Sequence, residues 1–158
     1  MKILISSCLV GENVRWNGGN KLNSDILLWA KHNNIQLIPV CPETKILGTP
    51  RPPIRLVYES EEIKAYAKKK NIKRQLDSTC REIIKSQKDI VGFIGISRSP
   101  TCGISVGVKN LGRTIKGPMH DIPDFPTVEV SQIKSEEQRN IFLKRIKKFV
   151  NERNEDII

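Results

Sequence analysis

The sequence DIVGFIGI at residues 89–96 is a short aliphatic run that leads directly into SRSPTCG at 97–103, a segment rich in turn-forming residues. A run of this length, bounded by turn residues, predicts a buried β-strand followed by a loop. Two earlier runs have the same character, KILISS at 2–7 and the apolar stretch at 35–40. The chain therefore predicts at least three short buried strands, separated by segments long enough to hold helices.

Helical patterns fill the gaps between these strands. Ser24 is expected to cap a helix that runs to Asn33. Apolar residues at helical spacing predict a second helix over 61–88, with a break near Asn71. Because strands and helices alternate, the fold class is expected to be α/β, with a mostly parallel sheet and helices on its faces.

The rest of the chain completes one predicted domain over residues 1–158, and no repeat or linker interrupts it. A stiff proline-rich loop is expected around Arg51 because prolines stand at 50, 52 and 53. Further along, the pattern predicts an edge strand at 54–58, a weak hairpin at 104–118, a strand at 128–133, and a helix opened by a capping box at 135–138. The inward face of that helix is predicted to carry Ile141, Phe142, Ile146, Phe149 and Val150.

Positive charge exceeds negative charge, with 27 Lys and Arg against 17 Asp and Glu and a formal net charge of +10. Nine basic and two acidic residues fall within the segment 64–88. One interpretation is a patch that contacts RNA phosphates, such as those of a tRNA. The other is the solvated face of a helix, which the scarcity of aromatic residues in this segment favours.

No window approaches 18 consecutive apolar residues, so the sequence predicts no membrane span. The apolar stretch after Lys2 is too short for a secretory signal, and we expect an intracellular, cytoplasmic protein. In a reducing cytosol, scattered cysteines more often bind metals, act in catalysis or fill a core than form disulfides.

Three of the four cysteines follow predicted strands, namely Cys8, Cys41 and Cys102. The carboxyl ends of parallel strands meet at one edge of a sheet, so these three are expected to converge there. Cys80 lies instead on the apolar stripe of the predicted helix at 61–88. A small buried core residue is the simplest interpretation of it.

Three thiolates with no nearby histidine suit either zinc or an iron–sulfur cluster. His32, near a helix end, and His120, in a proline-rich loop, are both expected to face solvent. A missing fourth protein ligand leaves an open coordination position, which is typical of catalytic rather than structural metal sites.

Four stretches of the sequence, the second and third of them taken together, resemble the three signature segments of the thiouracil desulfidase (TudS) family. They are SSCLVGENVRWNGGNK at 6–21, PVCPE at 39–43, TPRPP at 49–53 and SRSPTCG at 97–103. They occur in matching order over roughly the first two thirds of the chain. From about residue 104 the sequence departs from the family pattern, because a glycine-rich ending is replaced by HDIPDFPTVEV and a lysine-rich helix. This departure bears on substrate identity more than on cluster binding.

The resemblance implies a Rossmann-like, three-layer domain with a 4Fe-4S cluster. Cys8, Cys41 and Cys102 would bind three irons, and the fourth iron would remain open for the sulfur of a thiolated nucleobase. Zinc is the less favoured alternative.

The resemblance also implies catalytic roles for two polar residues. Glu43 matches an acidic residue expected to act as the general base that activates water, and Ser99 matches a serine expected to relay a proton or to contact the substrate. Ser7 and Arg51, in the same segments, are predicted to bind substrate. Structural interpretations stay open, since Glu43 also fits a helix cap or a partner of Arg51, and Ser99 also fits a turn-forming role.

The predicted function is removal of sulfur by non-redox hydrolysis from a thiolated uracil compound. That compound is thiouracil, a thiouridine nucleotide or 4-thiouridine in tRNA. Two alternatives belong to other functional classes: a metal- or cluster-containing RNA-binding module without catalysis, and a cluster-based sulfide carrier.

Overall fold

A computed structural model describes residues 1–155, and its central feature is a four-stranded parallel sheet. The elements follow in the order β1 (Lys2–Ser6), α1 (Ser24–His32), β2 (Gln36–Val40), α2 (Pro42–Leu47), β3 (Ile54–Glu59), β4 (Glu62–Ala67), β5 (Lys70–Asn71), α3 (Lys73–Ser86), β6 (Ile90–Gly95), β7 (Val106–Gly107), β8 (Thr114–Ile115), α4 (Pro118–Asp121), β9 (Thr127–Glu129) and α5 (Glu136–Glu155). The strand order in the sheet is β2-β1-β6-β9, with every neighbouring pair parallel. The α/β prediction is confirmed.

Successive residues of β1 face opposite layers, as the pleat of a strand requires. Ile3 and Ile5 pack in a cluster that contains buried residues of α1 and α5. Leu4, between them, packs in a second cluster with buried residues of α3 and α4. Helices therefore cover both faces of the sheet, which explains why β1 and β6 read as continuous aliphatic runs.

The predicted helix over 61–88 is wrong in its first part. Residues 54–67 form an antiparallel hairpin, and α3 begins only at Lys73. Ser60 and Glu61 make the turn with φ of 50° and 63°. This left-handed conformation is uncommon for serine and glutamate, so these residues do not predict a hairpin turn. The two fully buried residues of β4 are Ala65 and Ala67, and alanine fits a helix equally well.

The hairpin also changes the interpretation of the basic segment 64–88. These residues span β4, β5 and α3, so their charge is divided between a small antiparallel sheet and a helix. The expected single basic helix face is therefore not present.

Other local predictions had mixed outcomes. The hairpin within 104–118 is confirmed by the pairing of β7 with β8. The strand at 128–133 is shorter than expected, because a 3-10 turn replaces it from Val130 onward. Asn23, rather than Ser24, caps α1 by accepting the amide hydrogen of Ile26.

Helix α5 follows the predicted direction of burial with one exception. Phe142 and Ile146 are buried against the sheet, and Phe149 and Val150 are half-buried. Ile141 was predicted inward but is 52% exposed, because it lies one position off the buried stripe. None of the helices in the described part of the chain has the length and apolar character needed to cross a bilayer.

We expect Leu4→Ala to lower the free energy of unfolding by about 2–5 kcal/mol, because Leu4 is completely buried in the central strand and its loss leaves a cavity. Leu28→Ala is the matched control, since Leu28 is 54% exposed on α1 and should unfold almost as wild type does. Urea unfolding followed by circular dichroism measures both. Equal stabilities for the two variants would contradict the three-layer packing.

Candidate functional site

Three of the four cysteines line one cavity of about 520 Å³ at the carboxyl edge of the parallel sheet. Cys8 lies in a 3-10 turn directly after β1, Cys41 directly follows β2, and Cys102 lies in the loop after β6. The predicted convergence is therefore present. Cys80 is buried on α3, in the apolar cluster behind this edge, as expected for a core residue.

The turn that holds Cys8 is fixed mainly through its backbone. Its carbonyl accepts hydrogen bonds from the amides of Lys21 at 2.8 Å and Gly11 at 3.4 Å. Gly11 ends the turn with φ of 93°, a conformation that glycine adopts without strain. Burial, together with neighbouring Cys41, raises the pKa of the Cys8 thiol to about 11. The thiol is therefore protonated at neutral pH, and a bound metal would displace that proton.

Cys41 precedes the short helix α2 and faces a cluster of polar atoms. Its Sγ lies 3.1 Å from Oγ1 of Thr44 and 4.0 Å from Nη2 of Arg51. Thr44 also donates to the carbonyl of Val14, in the loop that follows Cys8. Through these contacts the second cysteine is linked to the loop of the first.

Cys102 is presented by a tight turn that Ser99 organises. The Ser99 hydroxyl oxygen accepts the amide hydrogens of Thr101 at 3.2 Å and Cys102 at 3.0 Å. The amide of Gly103 donates to the Ser99 carbonyl, and a Cβ at Gly103 would lie 2.8 Å from that oxygen. Glycine is required there by close approach, and burial raises the pKa of Cys102 well above its ordinary value.

A buried ion pair connects the three cysteine-bearing loops. Nη2 of Arg51 lies 2.8 Å from Oε2 of Glu43, and the two side chains are 4% and 12% exposed. The other carboxylate oxygen, Oε1, accepts from the Thr101 hydroxyl at 2.7 Å and the Ser99 hydroxyl at 3.3 Å. Nη1 of Arg51 donates to the carbonyl of Val14 at 2.6 Å. Thus Glu43 reaches the Cys102 loop, and Arg51 reaches the Cys8 loop.

These contacts show where the residues predicted from sequence lie. Glu43, Arg51 and Ser99 all line the cavity, and both structural interpretations are realised, since Glu43 pairs with Arg51 and Ser99 shapes the turn. Ser7 is buried at the start of the 3-10 turn, and its neighbour Ser6 is the residue that lines the cavity.

Sequence reasoning missed the residues around the cavity mouth. Arg15, Lys21 and Arg98 line the cavity together with Trp16, which is 49% exposed. Within the described lining, Glu43 is the single carboxylate, so the cavity carries an excess of positive charge. An exposed tryptophan next to arginine in a Gly- and Asn-rich loop is the signal that points to this rim.

His120 was predicted to face solvent, and this is wrong. It is buried on α4, and its Nε2 donates to the carbonyl of Cys102 at 2.7 Å. Burial lowers the pKa of His120 to about 4, so the ring is neutral at physiological pH. The proline-rich surroundings suggested an exposed loop, whereas Pro118 begins a short helix that packs against the sheet.

The donor chemistry of the cavity suits a thiophilic metal group. Three cysteine sulfurs and no histidine are among the described residues that line it. Within residues 1–155, no three His, Cys, Asp or Glu side chains stand close enough together to hold one metal ion. The thiols instead surround a larger space, and all four cysteines are free of disulfides.

Comparison with known proteins identifies the class to which this fold and site belong. The model of the 2-thiouracil desulfurase family matches residues 3–119, well over half of the chain. This protein belongs to that family. The match ends immediately before His120.

A solved structure with a similar fold is a [4Fe-4S]-dependent thiouracil desulfidase, TudS. Its TM-score is 0.68 at 21% sequence identity, over 84% of this chain and 92% of that chain. At this identity the likeness establishes the shared Rossmann-like, three-layer fold. No curated protein sequence matches this chain.

Arg51→Met is expected to lower the free energy of unfolding by about 3–5 kcal/mol, because it leaves the carboxylate of Glu43 buried without its cation. The double variant Glu43→Gln/Arg51→Met should recover part of this loss. Lys148→Ala is the matched control, since it breaks an exposed pair with Glu152 and should change little. Equal losses for Arg51→Met and Lys148→Ala in urea unfolding would show that the buried pair does not hold the loops.

Proposed function

We propose that this protein is an iron–sulfur-dependent desulfidase that removes sulfur from a thiolated uracil compound. The observation that carries the proposal is the convergence of three cysteine side chains on one cavity at the carboxyl edge of the sheet. Membership in the 2-thiouracil desulfurase family supports the reaction class. The similarity in fold to TudS, which is [4Fe-4S]-dependent, supports the cofactor.

Cys8, Cys41 and Cys102 are the residues that would hold a 4Fe-4S cluster. A cavity of about 520 Å³ with three thiols on its walls suits a cluster better than one zinc ion. When bound, the cluster supplies an iron with an open coordination position, a Lewis acid with affinity for sulfur. The unpaired state of the cysteines agrees with a reducing, cytoplasmic setting.

The proposed reaction is a hydrolysis. Water adds its oxygen to the thiocarbonyl carbon, the carbon–sulfur bond breaks, and the sulfur leaves as hydrogen sulfide with the two protons of the water. The carbon ends as a carbonyl at the same oxidation level, so the reaction needs no electron donor or acceptor.

Glu43 is the proposed general base. Its carboxylate faces the cavity and accepts hydrogen bonds from Arg51, Thr101 and Ser99, all of them donors, which is the environment of a carboxylate anion. The contact from Ser99 is the longest of these, at 3.3 Å, and it connects Oε1 to the loop of Cys102. We assign to Oε1 the removal of a proton from the attacking water, and to the Ser99 hydroxyl the transfer of that proton toward the leaving sulfur.

The cations at the cavity mouth favour a substrate that carries a phosphate. Arg15, Lys21 and Arg98 lie at the opening, and Trp16 offers an aromatic surface beside them. The basic residues of segment 64–88 lie outside the described lining of the cavity, so a thiouridine nucleotide is a better candidate than tRNA held by that segment. Substrate contacts by Arg51 and by Ser7 stay predictions.

Single substitution of each proposed ligand tests the cluster. Cys8→Ser, Cys41→Ser and Cys102→Ser should each lose most of the iron and acid-labile sulfide of anaerobically reconstituted wild type, because each removes one thiolate. Cys80→Ser is the matched control and should keep both, since Cys80 is buried in the core. Iron and sulfide analysis with visible absorbance measures the result. A colourless wild-type protein that binds zinc instead would refute the proposal.

Glu43→Gln tests the base. The variant should keep the cluster but lose at least about 100-fold in kcat, because the amide cannot take a proton from water. Loss of thiocarbonyl absorbance from 4-thiouracil, 4-thiouridine monophosphate and thiolated tRNA measures the rate and ranks the substrates. Full activity in Glu43→Gln would overturn the assigned role. A cluster-containing wild type that desulfurates none of the three would favour a sulfide carrier or an RNA-binding module.

A further inference from the structure

The loop that carries Cys102 is held by the segment 117–129, most of which lies beyond residue 119, where the match to the family model ends. Four consecutive residues, 101–104, each have a backbone group bound by the segment 117–129. The contacts are the Met119 amide to the Thr101 carbonyl at 3.1 Å, Nε2 of His120 to the Cys102 carbonyl at 2.7 Å, the Gly117 amide to the Gly103 carbonyl at 2.8 Å, and the Ile104 amide to Oε2 of Glu129 at 2.7 Å.

His120 makes the contact with Cys102 itself, and its protonation state follows from that contact. A carbonyl oxygen only accepts, so Nε2 carries the hydrogen. Nδ1 is buried and has no hydrogen-bond partner among residues 1–155. The ring packs against Phe93 of β6, with 5.0 Å between ring centroids.

Glycines leave the space that this arrangement needs. A Cβ at Gly95, at the end of β6, would overlap the Cys102 carbonyl oxygen and lie 2.6 Å from Nε2 of His120. A Cβ at Gly117 would lie 2.5 Å from the carbonyl oxygen of Thr101. The strand, the loop and α4 therefore meet at backbone distance around one carbonyl group.

Glu129 holds the other end of the loop. Its carboxylate accepts from the Ile104 amide and, at 2.6 Å, from the Ser131 hydroxyl. Although burial opposes it, these hydrogen bonds lower the pKa of Glu129. The carboxylate is at the carboxyl end of β9, directly before Val130, which lines the cavity.

We propose that His120 and Glu129 are positioning residues that fix the backbone of the third cluster ligand, Cys102. The inference rests on the proposed function, because it takes Cys102 as a ligand. It assigns a role to the segment 117–129, most of which lies beyond the residues that the family model matches.

The metal-free protein provides the first test, through alkylation of its thiols by N-ethylmaleimide with the modified sites identified by mass spectrometry. His120→Leu removes the donor to the Cys102 carbonyl and should raise the alkylation rate of Cys102 by about tenfold, the effect of one buried hydrogen bond. The alkylation rate of Cys8, whose loop has separate contacts, should stay unchanged. His120→Gln keeps an N–H donor and should stay within about twofold of wild type at Cys102.

Each outcome of this experiment has one meaning. Equal rates at Cys102 in wild type and folded His120→Leu would overturn the proposal, and so would an equal rise at Cys8 and Cys102. If His120→Leu does not fold, His120→Gln and Glu129→Gln decide it. A preserved Cys102 rate in His120→Gln with a raised rate in Glu129→Gln supports the positioning role, and any other pattern overturns it.

Reconstituted protein provides the second test. His120→Leu should bind less iron and sulfide than wild type or show an altered electron paramagnetic resonance spectrum after reduction, and His120→Gln should restore both. If wild type itself binds no cluster, the proposed function fails, while the alkylation result still stands on the metal-free chain. If wild type binds a cluster and His120→Leu matches it in content and spectrum, the positioning role fails alone.

Discussion

The buried ion pair between Glu43 and Arg51 is the constraint on which the site depends. The parallel sheet brings three loops to one edge, but a shared edge does not fix their distances. Arg51 is bound to the Cys8 loop through the Val14 carbonyl, and Glu43 is bound to the Cys102 loop through Thr101 and Ser99. One ion pair thereby joins loops that are far apart in sequence. Such a pair is costly to bury, and its hydrogen bonds to all three loops offset that cost.

In the proposed reaction, Glu43 and Ser99 serve two purposes. In a metalloenzyme the groups that orient the ligands are often those that act on the substrate, since both tasks require rigidly held polar atoms near the metal. Glu43 illustrates this, because one oxygen is committed to Arg51 and the other lies in the cavity wall. Ser99 is similar, with its oxygen binding two amides while its hydroxyl hydrogen points to Glu43.

Much of this arrangement was predictable from sequence, for identifiable reasons. Aliphatic runs followed by cysteine-containing turns predicted that Cys8, Cys41 and Cys102 lie at strand ends. In a parallel sheet these ends meet at one edge, so the convergence of the three cysteines followed. The hairpin at 60–61 was not predictable, because its turn uses serine and glutamate in a conformation usually taken by glycine or asparagine. The burial of His120 was not predictable either. The ring fits only because Gly95, more than twenty residues earlier, has no side chain to occupy the same space.

The attachment of residues 101–104 to the segment 117–129 has a consequence for biosynthesis. A ribosome releases the chain from its amino terminus, so the three cysteines emerge before the backbone groups around the last of them have their native partners. Strand β9, which pairs with β6, also emerges late. The loop of Cys102 therefore waits for the segment 117–129, and the apolar cluster around Cys8 also contains buried residues of α5. Under the proposed function, the backbone around the third cluster ligand is therefore fixed only after residues 117–129 have folded, and not with the first half of the chain.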